Sequence, residues 1–238
     1  MTAGPLRGVI FDMDGVLVDS HAVHRKAWRI FLQTLGREVP ESELDFILDG
    51  RKRADILRHF LGHCPDPDLE EFGRRKDCIF RQMRLEVTPV PGVVRLVREL
   101  HHGGIAMALA TSASRSRARS TLRELGLLDC FPVIVTGEDV HLGKADAAIY
   151  RLACDRVGFA PSHLMAIEDA VSGIRAALGA GLGCLGVASR ESAENLTAAG
   201  AVHVVRDFKS VFRQDLQCIL LRRDGSLTTH QAAAAGRG

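Results

Sequence analysis

Short apolar runs and helix-spaced stretches divide the chain into three patterns. Residues 6–11 form the first run, in which Val9, Ile10 and Phe11 are strand formers bounded by Gly4-Pro5 before and an acidic pair after. Such a run predicts a short strand buried on both faces. Beyond Ser20, the positions Val23, Ala27, Ile30, Phe31 and Leu35 recur at helical spacing. They predict a helix over 21–35, capped by Ser20 and stopped by Gly36. From there to residue 87 the pattern is helical only, with segments near 41–48, 53–61 and 67–87 separated by Asp49-Gly50 and Gly62-His63-Cys64-Pro65. The absence of a β-rich run predicts an all-helical insertion. Val87-Thr88-Pro89-Val90-Pro91-Gly92 closes it, and two prolines with a glycine predict a stiff hinge.

After the hinge the pattern alternates. Helices are expected at 93–102, 114–125, 146–157, 171–179, 191–199 and near 208–221, with strands at 105–110, 133–135, 164–167, 184–187 and 203–205 between them. Repeated βα units of this length imply a parallel sheet with helices on both faces. The predicted fold is therefore α/β, a doubly wound parallel sheet with a small all-helical cap inserted after the first strand. The core domain is assigned to 1–19 and 88–224, the cap to 20–87. The Ala/Gly/Ser/Thr-rich stretch 225–238 is expected to be disordered.

Composition narrows the function. A formal charge of +2 on 238 residues gives no basic footprint for nucleic acid or an anionic membrane, and one Trp with one Tyr disfavours a base-stacking platform. The six cysteines are scattered without a C-x-x-C pair, as expected of packed free thiols in a reducing compartment. No charged-then-apolar leader precedes the first strand and no apolar run is long enough to span a bilayer. A cytoplasmic monomer is expected.

The chemistry-bearing residues fall just past strands, where doubly wound sheets bind ligands. Asp12 and Asp14 follow the first strand. Carboxylates so close repel each other and suit a cation or a proton-transfer task, although D-x-D pairs are also common in plain turns. Thr111 and Ser112 follow the second long strand, where a helix start offers free N–H groups to a phosphate; the same residues also make a good N-cap cluster. Lys144 stands before a helix start, against the dipole, which suits an anion nearby. Glu168 and Asp169 end the strand at 164–167.

Together these strings resemble the haloacid dehalogenase superfamily. Asp12-Met13-Asp14-Gly15-Val16-Leu17-Val18-Asp19 is similar to its first motif in the phosphotransferase form, Thr111 to the second, Lys144 to the third, and Glu168-Asp169-Ala170-Val171-Ser172-Gly173-Ile174-Arg175-Ala176-Ala177 to the fourth. The third motif lacks its two usual prolines, with Ala145 and Ala147 in their places. The resemblance implies Asp12 as nucleophile, Asp14 as general acid/base, Thr111 and Lys144 as phosphoryl stabilisers, and Ser112 as a substrate-binding neighbour. It also implies a Mg²⁺ ion held by Asp12, Asp14 (through its backbone carbonyl), Asp169 and Glu168. The helical insertion resembles the small cap of β-phosphoglucomutase and its relatives, which implies substrate contacts for His24, Gly50 and Arg53, with Arg115 near a distal phosphate.

The expected activity is Mg²⁺-dependent hydrolysis of a small phosphorylated metabolite, a sugar phosphate in particular, through an aspartyl phosphate. A β-phosphoglucomutase is the alternative. It is weakened by Asp49 where mutases carry a lysine, and by Ala113, Ser114 and Arg115 where they carry Ser, Lys and Asn. A phospho-accepting signalling module is a third reading. The helical insertion and the late position of Glu168-Asp169 disfavour it.

Overall fold

The computed structural model describes residues 5–48, 51, 53–140 and 147–222. The first strand, β1 (Gly8–Phe11), is followed by a two-residue strand β2 (Val18–Asp19) and then by the helical insertion. A matching strand β3 (Thr88–Pro89) pairs antiparallel with β2 where the chain returns, Val18 opposite Pro89 and Asp19 opposite Thr88. Val90 N–H also donates to the Leu17 carbonyl at 3.1 Å. The predicted hinge is thus a hydrogen-bonded ribbon that ties the entry of the insertion to its exit.

Strands β4 (Ala106–Thr111), β5 (Val133–Thr136), β6 (Leu164–Glu168), β7 (Gly183–Val187) and β8 (His203–Val205) join β1 in one parallel sheet of order β5-β4-β1-β6-β7-β8. From β1 the chain builds outward through β4 and β5, then returns to β6 on the other side. At such a reversal the carboxyl ends open a ligand crevice. Side chains alternate across the sheet. Val9, Phe11, Leu109 and Ile167 pack one face against helices α4 (Val93–His102), α5 (Arg115–Glu124) and α9 (Arg213–Arg222). Ile10, Ala108, Ala110 and Ala166 pack the other against α6 (Ala148–Val157), α7 (Val171–Gly179) and α8 (Ala193–Ala198). Covering both faces explains why the strands read as continuous apolar runs.

The insertion contains α1 (His21–Gln33), a 3₁₀ segment (Glu41–Leu48), α2 (Arg53–Leu61), α3 (Asp66–Gln82) and a 3₁₀ turn (Arg84–Glu86). Trp28, Phe31, Leu32, Leu44, Ile56, Leu57 and Leu69 give it a core of its own. Residues 41–48 were expected to be α-helical. Their two buried side chains, Leu44 and Ile47, lie three apart, and a 3₁₀ turn places such a pair on one line. Helix α9 starts at Arg213 rather than near residue 208. Phe208 is drawn into the sheet's core, and the Asp215 carboxylate accepts the Phe212 N–H at 2.8 Å, which sets the helix start. Gly50, Lys144 and the stretch 225–238 lie outside the described residues. Among the described residues no helix is long and apolar enough to cross a membrane.

Candidate active site

Parallel pairing in register sets the site. Phe11 lies opposite Leu109 on one side and Ile167 on the other, so the residues that follow them converge. Asp12 N–H donates to the Ile167 carbonyl at 3.0 Å, extending the ladder one residue and fixing the nucleophile candidate at the strand tip. Asp12, Glu168 and Asp169, all buried, bring carboxylate oxygens within 4.8 Å of one another. Three buried carboxylates so close repel strongly, and an all-oxygen donor set of this kind fits a hard divalent cation.

Each carboxylate has its own support. Glu168 Oε1 accepts the Tyr150 hydroxyl at 2.6 Å, and Oε2 accepts the N–H groups of Asp169 (3.0 Å) and Ala170 (3.3 Å). Burial, reinforced by the Glu168 charge, holds the Tyr150 phenol well above its ordinary pKa, so it stays a donor. A methyl group at Gly173 would stand 2.1 Å from the Glu168 carboxyl carbon. Gly173→Ala is therefore expected to lower stability by about 1–3 kcal/mol, because overpacking outweighs the helix propensity of alanine. Urea denaturation measures it.

Asp169 Oδ2 accepts the Ser189 hydroxyl at 2.8 Å and lies 3.1 Å from His21 Nε2. Gly15, at φ +77°, lets the turn after β1 press against this pair: a Cβ there would fall 2.0 Å from Asp169 Oδ2 and 2.6 Å from His21 Cε1. Burial pushes the His21 imidazole down, but the hydrogen bond and charge of Asp169 prevail and its pKa is raised.

The Asp14 side chain turns to a different set of partners. Ser20 Oγ donates to Oδ1 at 2.5 Å, and Arg117 grips both oxygens, Nη1 at 2.9 Å and Nη2 at 2.5 Å. His24 Nε2 lies 3.3 Å from Oδ1. Burial pushes Asp14 up, but Arg117 and His24 outweigh it and hold the carboxyl well below the usual carboxylate range. Ser20 precedes α1 as expected but makes no side-chain cap; its hydroxyl is spent on Asp14.

His24 is neutral, since burial and the nearby Lys76 bring its pKa down to about 3. Lys76 Nζ, from α3, lies 3.2 Å from His24 Nδ1, so Nδ1 accepts from the ammonium and Nε2–H faces Asp14. Burial, with Arg117 and Arg53 adding repulsion, brings Lys76 down to about 8. Its ammonium sits 5.0 Å from the Phe80 ring centroid and 5.4 Å from that of Trp28.

Asp12, Asp14, His24, Arg53, Thr111, Ser112 and Asp169 line one cavity of about 280 Å³ between the sheet's carboxyl ends and the insertion. Ser114 caps α5, accepting the Arg117 N–H at 3.3 Å; Thr111 Oγ1 accepts the Ala113 N–H at 3.2 Å, and Thr111 and Ser112 both line the cavity. Arg53 pairs with Asp77 at 2.6 Å on the cavity wall. Arg115 is not brought in: its guanidinium holds both oxygens of Asp139, at 2.6 and 2.7 Å. The arginine of α5 that lines the cavity is Arg117.

Sequence reasoning passed over His21, Lys76, Asp77 and Arg117. Two of them carried a readable signal. Lys76 falls on the buried stripe Leu69-Gly73-Lys76-Phe80 of α3, where an unpaired ammonium would be out of place. Arg117 lies in the first turn of α5, against the helix dipole, the argument applied to Lys144.

The fold and its strand-tip carboxylates define a doubly wound protein with a candidate active site between the sheet and its helical insertion. The family model described as haloacid dehalogenase-like hydrolase matches residues 6–181. Validoxylamine A 7'-phosphate phosphatase of Streptomyces hygroscopicus subsp. limoneus is 32% identical over 193 residues, covering 80% of this chain and 89% of that protein. Hexitol phosphatase A of Escherichia coli (strain K12) is 34% identical over 175 residues, covering 74% and 80%. The crystal structure of β-phosphoglucomutase from Clostridium difficile superposes with a TM-score of 0.82 at 23% identity, covering 92% of this chain and 99% of that one, and shows the same fold. The chain belongs to the haloacid dehalogenase-like hydrolases. Within that family it is a phosphoric monoester hydrolase.

Proposed function

We propose that the chain is a Mg²⁺-dependent phosphatase of small phosphorylated metabolites, sugar phosphates in particular, working through an aspartyl phosphate on Asp12. The observation that carries this reading is the buried Asp12 at a strand tip, within a three-carboxylate cluster and facing a cavity shared with Thr111, Lys76 and Arg53. Asp12 attacks phosphorus, the bond to the leaving oxygen breaks, and water then cleaves the acyl phosphate. Asp14 serves both steps, giving a proton to the leaving oxygen and later taking one from the water. It is ionised in the unliganded protein, so its proton arrives with the substrate and requires Arg117 to loosen.

Asp12, Asp169, the Asp14 backbone carbonyl and Glu168 (directly or through water) would hold Mg²⁺, which when bound neutralises their charge and polarises the phosphoryl oxygens. Thr111, Ser112 and Lys144 are assigned to the transferring phosphoryl group. The insertion supplies the substrate wall. Arg53, Lys76 and Arg117 line the same cavity and are cations that an anionic substrate would meet there.

Hydrolysis is preferred to mutase chemistry because the distal grip is weak: Ala113 lacks a hydroxyl, and Arg115 is committed to Asp139. Incubation with β-glucose 1-phosphate and Mg²⁺, with and without β-glucose 1,6-bisphosphate, should release inorganic phosphate independently of the bisphosphate. Rapid accumulation of glucose 6-phosphate with little free phosphate would establish a mutase instead.

A further inference from the structure

We propose that His21 is a positioning residue of the metal site: its imidazole, delivered by the first turn of the insertion's first helix, holds the Asp169 carboxylate in place for the divalent cation. The proposal rests on the reading of Asp12 and Asp169 as ligands of that cation.

Two donors and one close-packed turn converge on one carboxylate oxygen. His21 Nε2 reaches Asp169 Oδ2 from the start of α1 at 3.1 Å. Ser189 Oγ reaches the same oxygen at 2.8 Å from the segment that follows β7. The turn at Gly15 closes on the pair so tightly that no side-chain carbon fits between. His21 itself is buried, with 9% of its surface exposed. The oxygens that close the carboxylate cluster belong to Asp12, Glu168 and Asp169, so the imidazole acts on the cation through Asp169.

Without such donors, repulsion from Asp12 and Glu168 would favour rotamers of Asp169 that carry its carboxylate out of the cluster. A donor fixed by the backbone opposes this, and outer-shell partners of metal ligands characteristically govern affinity by 10–100-fold. The α1 start is well anchored, because Asp19 lies in the β2–β3 ribbon and Ser20 is bonded to Asp14. One consequence follows from the position of His21. It belongs to the insertion, so any movement of α1 away from the sheet withdraws a support from the metal site, and by linkage a bound cation favours the position of α1 that keeps it.

The test is Mn²⁺ binding to the full chain, followed by the electron paramagnetic resonance signal of free Mn²⁺, with Mg²⁺ as competitor. His21→Ala should weaken Mn²⁺ and Mg²⁺ binding by roughly 10–100-fold. His21→Gln, whose amide places a donor near the former Nε2, should return to within a few-fold of the parent. His21→Phe keeps a ring without the donor and must weaken binding as alanine does; it replaces the alanine variant if that one does not fold, as judged by melting in EDTA. Unchanged affinity in His21→Ala or His21→Phe would overturn the proposal, as would an equal loss in His21→Gln. Absence of Mn²⁺ binding by the parent protein would overturn the metal reading and this proposal with it, whereas parent binding with unaffected variants overturns the proposal alone.

Discussion

Asp12→Asn is expected to abolish phosphate release, by on the order of 10⁴-fold or more, since loss of a covalent nucleophile leaves only binding and electrostatic contributions. The protein should remain folded. The backbone bond from Asp12 N–H to the Ile167 carbonyl does not depend on the side chain, and asparagine keeps the volume at a site that is 5% exposed. Charge argues further in the same direction. Removing one of three clustered carboxylates relieves repulsion in the metal-free protein, so the variant should melt in EDTA at or above the temperature of the parent. Added Mg²⁺ should raise the melting point of the parent and do less for the variant, because a ligand is lost. EDTA should reversibly remove activity from the parent. Turnover surviving in Asp12→Asn would refute the mechanism.

The candidate site was legible where its carboxylates sit on strand tips. Alternation of apolar and helical runs gave the sheet, and the acidic pairs at the ends of β1 and β6 landed side by side because these two strands pair directly with each other, Phe11 opposite Ile167. What the chain did not reveal are contacts made across long separations. Arg117 meets Asp14 over 103 positions and Lys76 meets His24 over 52, and no local periodicity encodes such pairings. Local propensity also misassigned one hydroxyl for a physical reason. Ser20 had the position of a cap, but a half-buried carboxylate six residues earlier competes more strongly for its hydroxyl. Arg115 and Arg117 both begin α5, and only the fold decides that Asp139 takes the first and Asp14 the second.

Replacing Arg117 with methionine is expected to destabilise the protein by about 3–5 kcal/mol at neutral pH, the usual cost of stranding one partner of a buried ion pair. Both side chains are mostly buried, 16% exposed for Arg117 and 22% for Asp14, so solvent screening removes little of this. Methionine preserves the apolar stem, and the guanidinium's contact with the Phe80 ring, at 5.4 Å, is replaced by a sulfur–aromatic one. The loss is therefore chiefly electrostatic, and pH separates it from packing. Asp14 has a depressed pKa in the folded protein relative to an ordinary value of 3.8. Its pairing with Arg117 therefore contributes stability that is fully present above the unfolded value and is lost as pH falls through the folded one. Urea denaturation of parent and Arg117→Met between neutral pH and about pH 3 should accordingly show a gap that is constant down to about pH 4 and narrows below it. A gap of the same size at every pH would mean that Arg117 stabilises by packing across the insertion and that Asp14 is held by Ser20 and His24 alone. In the variant the Asp14 carboxyl should also titrate at a higher pH than in the parent, which carbon-detected NMR of the labelled side chain reads directly.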